Sequence, residues 1–222
     1  MHVVLLDVDG TLTNTNHIDE LCLTAALETC LDLPGLSRDW STYEHSTDSG
    51  IADEVIRRVH AEPPDHLYGE IEREYMTLLR SAFSANPEHF QSMQGARMIM
   101  SDLLWKGYAV GIATGCWRDS AIFKLHAAGI GHSMVPMSTA DHHIDRRNIL
   151  MHGIQKCRER YAIERVESVT YIGDGVWDVR SANAIGINFI GVGLERRRNR
   201  LIEAGANVVV ESLEQVAPHL PY

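Results

Sequence analysis

The chain has 222 residues, of which 45% are hydrophobic and 23% charged, and its formal net charge is −10. This composition excludes a disordered chain, and the length suffices for one large core with an inserted subdomain. The acidic balance argues against a nucleic-acid partner, and the lack of any apolar stretch of roughly 18 residues argues against a membrane span.

The first part of the chain combines one short strand with helices. An apolar run at residues 2–6 predicts a buried β-strand. From Ile18 to Phe90 only helical periodicity is found, which predicts three helices. Breaks at residues 34–35, 63–64 and 87, each containing proline, mark where these helices end.

After Gly95, short apolar strands alternate with helices. The predicted strands cover residues 109–113, 134–137, 169–172, 187–192 and 208–210. The predicted helices cover residues 95–106, 118–128, 147–161, 177–185 and 195–204. Such alternation predicts a parallel sheet covered by helices on both faces, which the first strand joins across the helical insertion. Trp105 and Trp177, at helical positions, are expected to pack into the core.

Two aspartates follow the first strand one residue apart, at Asp7 and Asp9. Side chains at positions i and i+2 of a strand share a face, so these carboxylates converge. Unpaired carboxylates in a buried strand are energetically costly. The pair is therefore expected to bind a cation, to perform chemistry, or both.

Polar residues also stand at the ends of two other predicted strands. One strand ends in Thr114-Gly115, and another is followed by Asp174 and Asp178. Ligands of such sheets bind beyond the carboxyl ends of the strands. Several carboxylate oxygens suit Mg²⁺, and a hydroxyl with exposed backbone N–H groups can bind phosphate oxygens.

These motifs, in this order, resemble the haloacid dehalogenase superfamily. They are D-x-D-G-T at residues 7–11, T-G at residues 114–115 and G-D-G-x-x-D at residues 173–178. The resemblance is to the phosphatase branch with a helical cap after the first motif, as in phosphoglycolate phosphatase-like proteins. It implies an α/β fold with a Rossmann-like parallel sheet core at residues 1–14 and 92–222 and an α-helical cap at residues 15–91.

The resemblance assigns roles to the first motif. Asp7 would be the nucleophile that forms an aspartyl-phosphate intermediate. Asp9 would be the general acid that protonates the leaving oxygen, and then the base that activates water. Family members that dehalogenate lack a carboxylate at this second position, so Asp9 favours phosphate chemistry. Gly10 and Thr11 would contact the substrate.

The resemblance also implies a Mg²⁺ cofactor. Its ligands would be Asp7, the backbone carbonyl of Asp9, and Asp174. Asp178 would be a further ligand or a support for the others.

The phosphoryl oxygens would be bound by Thr114 and the N–H of Gly115. An alternative role for Thr114 is to cap the helix that follows. Cys116, beside this position, is expected to be a small packed residue rather than a nucleophile.

The third motif departs from the family pattern, because a lysine is usual there. This chain has Asp145-Arg146-Arg147 instead, and no lysine follows until Lys156. Arg146 is expected to screen the charge between the nucleophile and the phosphate, with Arg147 and Lys156 as alternates. A guanidinium is always charged and can bind phosphate through two hydrogen bonds.

Residues of the cap would decide the substrate. The polar stretch at residues 45–50 precedes a helix, and a loop of this kind faces the active site in capped relatives. Thr47 and Asp48 are therefore candidate specificity residues, although Thr47 is equally suited to be a helix N-cap. Phosphoglycolate, a sugar phosphate and a nucleotide remain possible substrates.

The predicted function is Mg²⁺-dependent hydrolysis of a small phosphorylated metabolite. Rival functions are those of a phosphomutase and a phosphonatase, and a catalytically silent regulatory or binding protein is an alternative of another class. The absence of lysine between Met1 and Trp105 counts against a phosphonatase, which needs a cap lysine. No secretory signal and no C-x-x-C pair are found, so a cytoplasmic enzyme with reduced thiols is expected.

Overall fold

Six parallel strands form one sheet in the computed structural model, which describes residues 1–64 and 66–221. The strands are β1 His2–Leu6, β2 Ala109–Ala113, β3 Met137–Ser138, β4 Ser168–Gly173, β5 Asn188–Val192 and β6 Val208–Val210. Their order across the sheet is β3-β2-β1-β4-β5-β6, and every neighbouring pair is parallel. The predicted α/β fold with a Rossmann-like sheet is confirmed.

Eight α-helices connect these strands in the described part of the chain. They are α1 Asn16–Leu31, α2 Asp48–Val59, α3 Leu67–Ala85, α4 Ala96–Trp105, α5 Arg118–Ala127, α6 Arg146–Arg160, α7 Val176–Ala184 and α8 Glu195–Glu203. The first three lie between β1 and α4, where the sequence predicts a helical insertion. The division into a core and a separate cap at residues 15–91 stays a prediction.

The central position of β1 follows from its composition. Its four aliphatic residues are at most 1% exposed. Val3 and Leu5 belong to one hydrophobic cluster, and Val4 and Leu6 to the other, as expected for a strand buried on both faces. β1 pairs with β2 on one side and β4 on the other, so the residues that follow it lie between the ends of both neighbours.

The prediction for β3 was wrong in position and length. In place of a strand at residues 134–137, the structure has only Met137–Ser138, and Met134 is 65% exposed. Pro136 has no N–H to donate to a strand ladder, which limits pairing at this edge. Its carbonyl oxygen still accepts a hydrogen bond of 2.9 Å from the Ile112 N–H.

The inserted helices α1 and α3 pack against each other. In α3 the buried positions include Ile71, Tyr75 and Leu79, which recur every four residues and form an apolar stripe. No α-helix in the described ranges is long and apolar enough to cross a membrane.

The prediction that Trp105 packs into the core was wrong. This side chain is 87% exposed at the end of α4. A surface position on an amphipathic helix carries no requirement for a polar residue, so one large apolar side chain there does not contradict the fold. Trp177 is partly buried and packs against a core cluster.

Substitution of Leu5 tests the packing of β1, the central strand. The neighbouring positions are glycines: a Cβ atom on Gly111 would lie 3.1 Å from Leu5 Cδ2, and one on Gly153 would lie 3.4 Å from Leu5 Cδ1. Glycines have no side chain to fill a cavity, so Leu5→Ala should lower the free energy of unfolding by about 2–5 kcal/mol. Urea denaturation measures this loss. Trp105→Ala is the control, with a change within about 0.5 kcal/mol, and equal effects of both substitutions would contradict the assignment of Leu5 to the core.

Candidate active site

The carboxyl ends of β1, β2 and β4 lie side by side and carry the residues that the sequence singles out. Asp7 follows β1, Thr114 follows β2, and Asp174 follows β4. Because β1 pairs in parallel with both other strands, these ends meet at one edge of the sheet. The three residues line one cavity together with Asp9 and Arg146.

Three buried carboxylates form an acidic centre at this edge. Oxygens of Asp7, Asp174 and Asp178 lie within 4.8 Å of one another, and within residues 1–64 and 66–221 no other group of potential metal ligands is this close. Burial raises the pKa of Asp7 well above its ordinary value, the charge of Asp178 raises it further, and Arg146 opposes this rise. Closely spaced carboxylate oxygens that repel one another are suited to a hard divalent cation.

Gly10 provides the space for this centre. Its φ is +74°, and a Cβ atom there would lie 2.0 Å from Asp174 Oδ2 and 2.5 Å from Asn16 Oδ1. Glycine is therefore required both by the backbone conformation and by the close approach of two oxygens. Asn16 Oδ1 is buried and has no hydrogen-bond partner in the described structure. An oxygen without a partner beside clustered carboxylates fits a site for Mg²⁺.

Asp174 is held by two donors on the same oxygen. Asn16 Nδ2 donates to Asp174 Oδ2 at 3.0 Å, and Arg197 Nη1 lies 2.9 Å from that atom. Burial raises the pKa of Asp174 to about 7, although the charge of Arg197 lowers it. These contacts hold the Asp174 carboxylate in place.

Arg146 is the third-motif candidate that reaches the acidic centre. Its buried guanidinium contacts Asp178 Oδ1 at 2.9 Å and Asp7 Oδ1 at 3.6 Å through Nη1. Burial lowers its pKa, but the surrounding charges, chiefly that of Asp178, raise it by more, so the group stays charged. The two alternates lie elsewhere: Arg147 is exposed and pairs with Asp145, and Lys156 Nζ donates to the Met137 carbonyl at 2.8 Å.

Asp9 is restrained through both of its carboxylate oxygens. Thr15 Oγ1 donates to Oδ1. Lys124 Nζ lies 2.5 Å from Oδ2, and the Cys116 thiol donates to the same oxygen at 2.7 Å. Burial and the charge of Asp9 raise the pKa of Cys116 well above its ordinary value, which disfavours the thiolate that a nucleophile needs.

Sequence reasoning missed Lys124. Its side chain is completely buried and also lies 2.6 Å from Asp19 Oδ1, an oxygen that accepts a further hydrogen bond from Tyr75. A signal was present, because Lys124 lies on the buried stripe of α5 with Ala121 and Leu125. Asp19 lies in the same way on the buried face of α1. A charge in each of two apolar stripes indicates a buried ion pair.

Thr114 is buried and lines the cavity, and it is not the N-cap residue of α5, the helix that follows it. Its hydroxyl accepts a hydrogen bond from the Cys116 N–H at 3.3 Å, whereas the N-cap residue of α5 is Trp117. Gly10 and Thr11 are not among the described residues that line the cavity. The Gly10 N–H donates to the Thr13 carbonyl at 2.7 Å.

The polar stretch at residues 45–50, which includes the start of α2, reaches the strand ends and contributes Thr47 and Asp48 to the cavity wall. Thr47 is the N-cap of α2, accepting from the Gly50 N–H, and its hydroxyl donates to the Ile144 carbonyl at 2.7 Å. The Asp48 N–H donates to the Gly115 carbonyl at 2.8 Å, and Asp48 Oδ2 accepts from the Trp117 N–H at 2.8 Å.

Gly115 lies directly beside the guanidinium of Arg146. A Cβ atom on Gly115 would lie 2.2 Å from Arg146 Nη2. The same guanidinium nitrogen donates to the Ser46 carbonyl at 2.8 Å, so it bridges the second strand end and the segment before α2. A residue with a side chain at position 115 would push Arg146 away.

Comparison with known proteins identifies the family. The family model described as Haloacid dehalogenase-like hydrolase matches residues 4–192, which is most of the chain. This match confirms the family that the motifs resemble, and with it the prediction of an enzyme. A comparison with curated proteins finds no match.

Solved structures share the fold at low sequence identity. A hydrolase from Pseudomonas syringae has a TM-score of 0.73 at 17% identity, covering 99% of this chain and 97% of that one. CbbY from Rhodobacter sphaeroides, in complex with phosphate, has a TM-score of 0.68 at 15% identity, covering 97% and 96%. A predicted phosphoglycolate phosphatase from Haemophilus somnus has a TM-score of 0.66 at 15% identity, covering 98% and 96%.

The buried carboxyl of Asp48 predicts a stability effect that depends on pH. Burial raises the pKa of Asp48 well above its ordinary value, so the stability that Asp48 contributes to the wild-type protein is lost as pH rises from the unfolded pKa of about 4 through the folded pKa. Asp48→Asn keeps an acceptor for the Trp117 N–H and does not titrate. The variant should therefore gain stability relative to wild type as pH rises.

Urea denaturation of both proteins between about pH 4 and pH 8 measures this difference. Asp102→Asn, on the exposed surface of α4, is the control and should show a constant difference from wild type. A pH-independent difference for Asp48→Asn would contradict the prediction.

Proposed function

The chain belongs to the haloacid dehalogenase-like hydrolases, and we propose that it is a Mg²⁺-dependent phosphomonoesterase. Its substrate would be a small phosphorylated metabolite, hydrolysed through an aspartyl-phosphate intermediate. The observation that carries this proposal is the meeting of Asp7 and Asp9 with Asp174, Asp178 and Arg146 at one edge of the sheet.

Asp7 is the proposed nucleophile. Its carboxylate oxygen attacks phosphorus, the bond to the leaving oxygen breaks, and the phosphoryl group is transferred to Asp7. Arg146, 3.6 Å from Asp7 Oδ1, screens repulsion between the attacking carboxylate and the anionic phosphate. Thr114 and the N–H of Gly115 would bind phosphoryl oxygens at the end of β2.

Mg²⁺ would be held by Asp7, the backbone carbonyl of Asp9, and Asp174. When bound, it neutralises charge on the carboxylates and the phosphate and orients the phosphoryl group. Asp178 supports this set, because its oxygens already accept hydrogen bonds from Tyr171 at 3.0 Å and from the Gly175 N–H at 2.9 Å.

Asp9 is the proposed acid and base. It gives a proton to the leaving oxygen in the first step, and it then removes a proton from the water that attacks the aspartyl-phosphate. Both transfers occur at one carboxyl, so the proton returns to Asp9 by the end of the cycle.

Fold relatives and thiol chemistry give further support. The CbbY structure is a complex with phosphate, and another fold relative is a predicted phosphoglycolate phosphatase. The four cysteines of this chain are free thiols, which supports a reducing compartment such as the cytoplasm.

A screen of phosphorylated metabolites with free phosphate as the readout tests the proposal. Hydrolysis should require Mg²⁺ and stop with a chelator, while Ca²⁺ should substitute poorly because its looser coordination misplaces the reacting groups. Asp7→Asn should be inactive on every ester, because an amide cannot attack phosphorus. Full activity in metal-free protein, or in Asp7→Asn, would contradict the proposal. Transfer of phosphate back to the sugar without release would identify a phosphomutase instead.

The role of Arg146 gives a second prediction. Arg146→Ala removes the cation next to Asp7 and Asp178, so turnover should fall by about 10²–10³-fold. Lys156→Ala and Arg147→Ala are the matched controls, because both residues are basic and neither contacts the acidic centre in the described structure. Steady-state kinetics on the best substrate measures all three variants, and a larger loss in Lys156→Ala would refute the assignment.

A further inference from the structure

We propose that Lys124 is a positioning residue that holds Asp9 in the orientation needed for proton transfer. The inference rests on the proposed phosphatase function and deepens it. The family motifs do not include this position, which lies ten residues after Thr114 on α5.

The ammonium of Lys124 donates hydrogen bonds to three acceptors. It lies 2.5 Å from Asp9 Oδ2, 2.6 Å from Asp19 Oδ1 and 3.2 Å from Cys116 Sγ. A lysine has three N–H donors, so each donor has one acceptor and the ammonium cannot rotate without losing a contact. The orientation of the Asp9 carboxylate is consequently fixed on the Oδ2 side by Lys124 and Cys116.

A further hydrogen bond holds Asp19, the second carboxylate that contacts Lys124, in place. Asp19, on α1, also accepts a hydrogen bond from Tyr75 of α3. A connected series of buried contacts thus runs from Tyr75 through Asp19 and Lys124 to Asp9. These residues come from α3, α1, α5 and the end of β1, so the inserted helices set the position of a residue at the sheet edge.

Solvent exposure indicates which end of the network has the functional role. The side chain of Lys124 is 0% exposed, that of Asp19 is 5% exposed and that of Asp9 is 14% exposed; both carboxylates line the cavity, and Asp9 is the more exposed of the two. Burying an ammonium is costly unless it is paired, and an apolar residue at this position would satisfy packing without that cost. We therefore explain this buried network by its effect on Asp9, the carboxylate at its more exposed end.

The two buried cations contact different carboxylates of the site. Arg146 contacts Asp7 and Asp178, and Lys124 contacts Asp9 and Asp19. Loss of Arg146 would act on attack at phosphorus, and loss of Lys124 would act on proton transfer. The two effects are distinguishable because loss of the general acid slows an ester with a poor leaving group far more than one with a good leaving group, whereas loss of charge screening slows attack on both.

Lys124→Met tests the inference, because it keeps a long apolar stem and removes the ammonium. The kcat/KM for an alkyl phosphate, which covers phosphoryl transfer but not the later hydrolysis of the aspartyl-phosphate, should fall by about 10-fold or more, up to the loss in Asp9→Asn. The loss for 4-nitrophenyl phosphate should be much smaller, because its leaving group needs little protonation. Lys156→Met is the matched control and should change neither substrate's turnover.

A double-mutant cycle with Asp9→Asn separates positioning from a general loss of structure. If Lys124 acts through Asp9, then Lys124→Met should cause no further loss in the Asp9→Asn background. Equal losses in kcat/KM for the alkyl and aryl phosphates, or additive losses in the double variant, would overturn the inference and leave the proposed function intact.

Tyr75→Phe is the milder variant if Lys124→Met does not fold. It removes only the hydroxyl that holds Asp19, and it should give the same preference for the aryl phosphate with a loss of about tenfold or less. A Tyr75→Phe protein with equal losses on both substrates would also overturn the inference. Wild-type protein that hydrolyses no phosphate ester would instead overturn the proposed function, and this inference with it.

Discussion

Charge compensation among buried aspartates is the constraint on which this site depends. Asp7, Asp19, Asp48, Asp174 and Asp178 are all buried near the carboxyl edge of the sheet, whereas the buried cations in the described chain are only Lys124 and Arg146. Uncompensated buried carboxylates are costly, and they become tolerable when paired, protonated or bound to a metal. Each of these solutions has a place here: pairing at Asp19, a raised pKa at Asp48, and an oxygen set suited to Mg²⁺ around Asp7.

The fold makes this concentration of charge possible by supplying fixed positions. β1 is buried on both faces and lies between β2 and β4, so its carboxyl end is held by two parallel ladders. The residues that follow the three strands therefore converge without any flexible connection. Gly10 and Gly115 complete the arrangement, because side chains there would collide with Asp174 and Arg146.

The inserted helices contact the residues at the sheet edge and also contribute to the cavity wall. The segment at 46–49 is hydrogen-bonded to the core through the Gly115 carbonyl and the Arg146 guanidinium. α1 contributes Asp19, which shares Lys124 with Asp9. A movement of these helices would consequently alter both the cavity wall and the surroundings of Asp9.

The sequence by itself determined the parallel α/β fold, the bounds of most elements and the convergence of Asp7, Asp9, Thr114 and Asp174. Strand and helix periodicity are local properties, and parallel strand ends necessarily share an edge. β3 was misplaced because the apolar run at residues 134–137 does not show that pairing begins only after Pro136, which has no N–H to donate.

Only the tertiary structure decided which of three basic residues reaches the acidic centre, and that Lys124 is bound to Asp9. Lys124 and Asp19 are 105 residues apart in the chain. The sequence indicates that each charge lies on a buried helix face, but which charges meet depends on how α1, α3 and α5 pack. Pairing between distant buried charges is a property of that packing and not of local pattern.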